Sequence, residues 1–326
     1  MFNHLEAKLQ EPASLNYDFE YDQVVSYGEI LSTKIVSSYL NYVGFKNKWL
    51  DVRTFFKTDN HYREAHIDWE LSTKLARKVF NFNDCNAYVV QGFIGSTSEN
   101  FFTTLGREGS DYTASILSYM LDAEKMVVWK DVPGILNADP RLFPSAQKLP
   151  EISYLEAIEM TYYGAQVIHP KTMKPLQNKN IPLYVKSFVE PHLEGSVIHS
   201  VDHTLQLVPV IIIKKDQVLI SISPTDFSFI AEHNLSDIFA LFAKYRLKVN
   251  LSQNSALSFS VCTDSMENKY LEVIEILKQN YKVLYNENAE LITIRYYTDE
   301  VISQLTAQRK ILVEQKSRKT ARFVVL

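Results

Sequence analysis

All nine glycines of this 326-residue chain lie between Gly28 and Gly195, and the remainder has none. Glycine is needed where the backbone takes positive φ or must come close to a ligand. A glycine-bearing stretch followed by a glycine-free one predicts two modules: a ligand-handling domain and a second one of different construction, joined near Ser200–Val208. The length suits two domains with a real core each.

The first part alternates short apolar runs with amphipathic ones. AYVVQGFIG (87–95), KMVVWKDVPGIL (125–136) and IPLYVKSF (181–188) read as strands. Asp111–Leu121 carries Ile116, Leu117 and Met120 at helical spacing, and Tyr154–Tyr163 carries Leu155, Ile158 and Glu159. Strand, helix, strand predicts an α/β domain with a largely parallel sheet, whose glycine loops gather at one face, beyond the strand C-termini. The second part reads β-α-β-β-α-β. QVLISIS, a helix with Leu235, Ile238, Phe239, Leu241, Phe242 and Tyr245 on one face, LSFSVCT, a helix over Tyr270–Leu277 and ELITIRYY are legible, and ARFVVL adds a final strand. That order is ferredoxin-like.

Charge and cysteine usage exclude several classes. Thirty-four Lys and Arg against 38 Asp and Glu leave a net charge of −4, against a duplex-binding face. The cationic group Arg309, Lys310, Lys316, Arg318, Lys319 and Arg322 is interleaved with apolar residues and reads as a solvated strand-and-turn face. Cys85 and Cys262 are too far apart in sequence and too few to suggest a disulfide framework, which favours a reducing compartment. No apolar run is long enough to span a bilayer, and MFNHLEAKLQ is no signal sequence. The expectation is a soluble, cytoplasmic protein with no nucleic-acid or membrane partner.

Four stretches carry chemistry. In VSYGEILST (25–33), Glu29 reads either as a functional carboxylate or as an acid favoured by a helix N-terminus. QGFIG (91–95) is a strand exit with turn residues. TTLGREGSDYTAS (103–115) runs a Gly-x-x-Gly loop into a helix, offering N–H groups to an anion. Ser110 and Asp111 stand where N-cap residues belong. The fork of Arg107 suits a carboxylate or phosphate. In WKDVPGILNADPR (129–141), Asp131 and Arg141 could hold a nucleotide or could order the loop. No zinc spacing is present, since His199 and His203 lack companions, and His169 before Pro170 reads as structural.

VSYGEILST, VVQGFIG, TTLGREGSDYTAS, WKDVPGILNADPR and YYGAQVIHPKTMKPLQNKNIP, in that order, resemble the aspartokinases. The resemblance implies an amino-acid kinase-like (carbamate kinase-like) three-layer αβα domain over residues 1–205 and an α+β ferredoxin-like, ACT-type regulatory domain over 206–326. It implies transfer of the γ-phosphoryl of ATP, with Mg2+, to the β-carboxylate of L-aspartate. Arg107 would grip the substrate α-carboxylate, Glu29 its amino group, and Phe93 would line the site. Ser110 and Asp111 would organise the reacting centre. Lys130, Asp131, Leu136, Arg141 and Gln166 fall at nucleotide-contacting positions, with no protein metal ligand. Ser252, Gln253 and Asn254, in SQNSALSFSVCT (252–263), are the candidate effector contacts for lysine or threonine, unless that stretch is an ordinary hairpin. A homodimer or larger assembly through the ACT-type region is implied.

The chain also departs from the family. The family's opening Lys-Phe-Gly-Gly-Thr-Ser strand and loop has no counterpart, so the catalytic domain is expected to be incomplete at its N-terminus and its activity impaired. Phe2, Leu5 and Leu9 keep helix spacing, as in a chain entered mid-helix. Gln166 stands for a phosphate-facing lysine, Lys130 for a threonine and Glu108 for a glycine. The alternative is a non-catalytic amino-acid-sensing or scaffold subunit pairing with a complete kinase. A related kinase acting on glutamate or a nucleoside monophosphate is disfavoured, because the GREGSDYT and HP-x-T segments and the ACT-like part occur together in aspartokinases.

Overall fold

The computed structural model describes residues 2–83, 85–165, 168–201, 208–226, 228–265 and 269–326. These form two compact units. The first comprises 1–135, 150–161 and 166–203; the second comprises 136–149, 162–165 and 204–326. The second unit thus draws two segments from the part of the chain before residue 205.

In chain order the elements are α1 (Phe2–Gln10), α2 (Tyr17–Tyr42), β1 (Asn47–Trp49), α3 (Trp69–Val79), β2 (Ala87–Val89), β3 (Ile94–Ser96), β4 (Phe102–Thr104) and α4 (Gly109–Met120). Then come β5 (Met126–Lys130), β6 (Glu151–Ser153), α5 (Tyr154–Tyr163), α6 (Pro170–Asn178), β7 (Leu183–Ser187) and β8 (Ser196–His199). The rest is β9 (Val210–Pro224), α7 (Glu232–Lys244), β10 (Val249–Asn254), β11 (Phe259–Asp264), α8 (Lys269–Leu277), β12 (Tyr281–Arg295), α9 (Asp299–Thr306), β13 (Ile311–Lys316) and β14 (Thr320–Val325).

In the first unit the pairs β1–β2, β5–β7 and β6–β8 are parallel, while β7–β8 and the β3–β4 hairpin are antiparallel. The strands therefore form separate ladders, β1-β2, β3-β4 and β5-β7-β8-β6, and not one parallel sheet. Phe55, Phe56, Ile94, Leu105, Ile116 and Met120 make the core beside the first two ladders. Burying each such side chain contributes roughly 1.5–3 kcal/mol. The helix expected at 154–163 has those limits, but its buried residues are Tyr154, Glu156, Ala157 and Met160, and Leu155 is exposed. Asn16 caps α2 by accepting from Phe19 N, and Asp68 caps α3 by accepting from Leu71 N.

Asp22 fastens α2 to β4. Its fully buried carboxylate accepts hydrogen bonds from Thr104 N, Thr104 Oγ1 and Arg63 N at 2.9, 2.8 and 2.9 Å. Gln23 does the same two residues earlier on the strand, exchanging both amide bonds with the backbone of Phe102. These ties hold the helix that carries Glu29 against the hairpin that leads into the Arg107 turn.

The second unit follows the ferredoxin-like order read from the sequence: β9-α7-β10-β11-α8-β12, with strands lying β10-β11-β9-β12. Alternation decides its faces. Val218, Ile220 and Ile222 pack under α7 and α8, whereas Leu219 joins Leu251, Cys262 and Leu291 on the other side. β9 and β12 run 15 residues each and continue beyond this module, breaking register near Asp216 and Asn288, both with positive φ. The β12 extension lies between that of β9 and β14, β13 pairs with β14 at the edge, and α9 covers Ile292, Ile294 and Phe323. The sheet curls until its two edge strands meet, with Gln315 Nε2 donating to Ser252 O at 3.0 Å. No helix among the described residues is long and apolar enough to cross a membrane.

Candidate functional site

The site is assembled where two glycine loops touch. A Cβ on Gly92 would lie 2.8 Å from Ser110 Cα, and one on Gly109 would lie 2.6 Å from Phe93 Cδ2, so neither position admits a side chain. The 91–95 and 106–110 segments are therefore in backbone contact. Phe93 N donates to Thr113 Oγ1 (3.0 Å) and Leu105 N to Phe93 O (2.8 Å), locking the loops together. Phe93 itself sits at φ 70°, a conformation costly for a bulky residue and typical of positions held for function.

α4 starts at Gly109, one residue before the expected capping position. Glu108, left-handed at φ 55°, is the N-cap and makes no side-chain cap, so Ser110 and Asp111 belong to the first turn. The capping role is thus not theirs: the left-handed turn at Gly106 (φ 77°) and Glu108 starts the helix early. Asp111 is free to face across the loop instead, and Lys130 Nζ at the end of β5 meets its Oδ2 at 3.0 Å. Arg107 is exposed and makes no hydrogen bond or ion pair among the described residues.

Glu29 is not at a helix N-terminus. It lies in the middle of the 26-residue α2, which removes the dipole explanation. Its side chain is half-buried and has no partner among the described residues, and burial holds its carboxyl above the usual glutamate range. One turn further on, Thr33 Oγ1 accepts from Gln91 Nε2 (2.9 Å) and from Trp49 Nε1 (3.0 Å). Gln91, fully buried, also accepts from Val52 N. Gln91 immediately precedes the Gly92–Phe93 loop, so the Thr33–Gln91 bond ties the Glu29 helix to the loop packed on Gly109. Sequence reasoning missed Thr33 and Gln91 as positioning residues, although both lie inside the stretches it singled out.

Other candidates fall elsewhere. Asp131 is exposed. Leu136 and Arg141 belong to the second unit. There Leu136 bridges Lys148, and Arg141 places its fork on Asp139, so Arg141 orders its own loop. Gln166 lies outside the described residues. His169 caps α6, accepting from Lys171 N. Ser252, Gln253 and Asn254 lie on the edge strand β10, with Gln253 and Asn254 exposed. Beyond the candidates, Arg53 is clamped by Asp51 and lies 4.4 Å over the Phe102 ring.

Comparison with known proteins gives the family. The sequence profile of the amino acid kinase family matches residues 2–187. Lysine-sensitive aspartokinase 3 of Escherichia coli (strain K12) is 32% identical over 246 residues, 75% of this chain and 54% of that protein. Chloroplastic aspartokinase 2 of Arabidopsis thaliana is 33% identical over 252 residues, 74% of this chain and 45% of that one. The chain thus spans about half the length of the curated relatives it matches. The crystal structure of E. coli aspartokinase III with lysine and aspartate superposes with a TM-score of 0.83 at 25% identity, covering 99% of this chain and 76% of that one. The same enzyme with aspartate and ADP gives 0.78 over the same shares. With more than half its residues matched by the profile, and its glycine loops meeting at the first turn of α4, the chain belongs to the amino acid kinase family.

Proposed function

We propose that this chain is an aspartate kinase: a β-carboxylate oxygen of L-aspartate attacks the γ-phosphorus of ATP, the bond to the β,γ-bridging oxygen breaks, and ADP leaves as 4-phospho-L-aspartate forms. The observation that carries the reading is a pair of opposite charges without partners among the described residues, Glu29 half-buried on α2 and Arg107 open on the turn before α4. A zwitterion satisfies both, its ammonium on Glu29 and its α-carboxylate on the Arg107 fork, with the Phe93 ring alongside. Ser110 and Asp111 then flank the β-carboxylate. Both reactants are anions, so positioning and positive charge, not a protein nucleophile, are what the reaction needs. ATP enters as its Mg2+ complex, which supplies charge neutralisation at the transferred group. Lys130 and Asp131 are proposed at its phosphates. Leu136, Arg141 and Gln166 remain nucleotide candidates by resemblance alone.

The test is formation of an acyl phosphate from L-aspartate and ATP, trapped with hydroxylamine as the hydroxamate. A folded chain that binds aspartate yet gives no hydroxamate supports the non-catalytic sensing subunit instead. That second reading draws on one observation, the neutralisation of Asp111 by Lys130 within the protein. Lysine or threonine is proposed as an effector at Ser252, Gln253 and Asn254, and self-association through the second unit is proposed with it.

Two expected outcomes belong here. Aspartate affinity falls as pH drops through the Glu29 pKa, because only the ionised carboxylate pairs with the ammonium. The midpoint should lie above that of an ordinary glutamate, and Glu29→Gln should flatten the profile in calorimetric titrations between pH 4 and 8. Lys130→Ala should weaken ATP binding by about tenfold while leaving adenosine binding unchanged, one charge-assisted contact being worth roughly 1.5–3 kcal/mol. Equal ATP affinities would remove Lys130 from the nucleotide site.

A further inference from the structure

Arg322 is the exception in a group of cations that the sequence reads as a solvated face. Arg309 pairs with Glu290 and Lys316 with Glu314. Arg322, on β14, is half-buried, donating from Nη2 to Asn250 O (2.6 Å) and from Nε to Thr293 Oγ1 (3.4 Å). Its guanidinium carbon lies 5.0 Å from the Tyr163 ring centroid. Lys214, on β9, donates to Asn250 Oδ1 at 2.8 Å. Lys248, just before β10, lies 5.5 Å from the Tyr162 ring. All belong to the second unit.

Asn250 accepts from both Lys214 and Arg322, so a single residue holds the two cations beside each other. Among the described residues none of Lys214, Lys248 and Arg322 has a carboxylate within ion-pair reach. The nearby carboxylate, Asp264, accepts at Oδ1 from Asn250 Nδ2 and Gln217 Nε2, each at 2.8 Å. Burial pushes the pKa of Lys214 and of Arg322 down; the Asp264 charge partly offsets this at Lys214, while the charges of Lys248 and Arg322 add to it. Removing charge from water without a counter-charge is costly. Neutral acceptors engage one of the three Lys214 donors and two of the five on Arg322, leaving the others available. Gly164, at φ 117°, lets its turn close over the lysine stem, since a Cβ there would lie 2.5 Å from Lys214 Cε.

We propose that Lys214, Lys248 and Arg322, backed by the rings of Tyr162 and Tyr163, form a seat for a small phosphate-bearing anion within the second unit. Three cations around one committed carboxylate match a group carrying more than one negative charge, and the guanidinium fork suits its tetrahedral oxygens. The site uses no residue of the acceptor site and stands whether or not the chain phosphorylates aspartate.

The experiment follows thermal unfolding of the full chain as sodium phosphate replaces sodium chloride at constant ionic strength and pH 7.5. The wild type should show a saturable rise in Tm, as expected for a ligand that binds only the folded state. Lys248→Ala, an exposed position that does not endanger folding, should raise the half-saturating phosphate concentration at least tenfold, and Lys214→Met should abolish the response. In chloride alone Lys214→Met should unfold no lower than wild type, because it deletes one of three neighbouring like charges together with the cost of burying it. Arg107→Ala should keep the full response. A wild type without a saturable rise, a rise that survives both lysine variants, or a rise lost in Arg107→Ala overturns the proposal. So does equal protection by acetate, which would mark a general anion effect.

Discussion

Arg107→Ala is expected to weaken L-aspartate binding by about 100-fold, the largest effect of any single substitution at the site. Two charge-assisted hydrogen bonds to one carboxylate are lost together, and such bonds contribute roughly 1.5–3 kcal/mol each before losses to solvent screening. Little of that effect should come from folding. The side chain is exposed and has no protein partner among the described residues, so its removal leaves no buried group unsatisfied. Arg107→Lys should recover only part of the affinity, because a point charge cannot reproduce the planar fork. Calorimetric titration decides: an unchanged dissociation constant in a folded Arg107→Ala protein takes this residue, and the proposed orientation of the substrate, out of the site.

Gly195→Ala should lower stability by about 3 kcal/mol, combining a left-handed backbone with overpacking. Gly195 sits at φ 77°, and a Cβ there would lie 2.2 Å from the carbonyl oxygen of Val185, with the Lys186 side chain at 3.0 Å. The first obstacle is backbone within the β7–β8 pair, where nothing flexible can move aside. Gly44 provides the control. It has φ 86° after the end of α2 but nothing within 4 Å of its would-be Cβ, so Gly44→Ala should cost only about 1 kcal/mol. Denaturant titration of both variants separates crowding from left-handed strain, and equal losses would show that the Val185 contact relaxes.

The glycine loops were legible because glycine has a local meaning, and Gly92, Gly106 and Gly109 are all where close approach or positive φ demands them. Glu29 was harder. Reading it as a helix N-terminal acid followed from Gly28, which sequence logic treats as a break, yet α2 runs straight through that glycine. The N-cap was read at Ser110 or Asp111, two or three residues late, because a left-handed Glu108 has no signature in the sequence. α9 and β13 went unread. On α5 the limits were right and the buried face was wrong, since Leu155 is exposed while Ala157 is covered.

By itself the sequence determined the β-α-β-β-α-β order of the second module, because alternation and helical spacing are patterns within a few residues of one another. The candidate residues of the acceptor site came from the resemblance of its glycine-bearing motifs to a family, not from spacing. Only the tertiary structure decided which charges are matched. That Lys130 neutralises Asp111, that Glu29 and Arg107 remain without side-chain partners among the described residues, and that Arg322 turns inward to Asn250 depend on contacts between strands and helices distant in the chain. An ion pair has no period, so no spacing along the chain announces it.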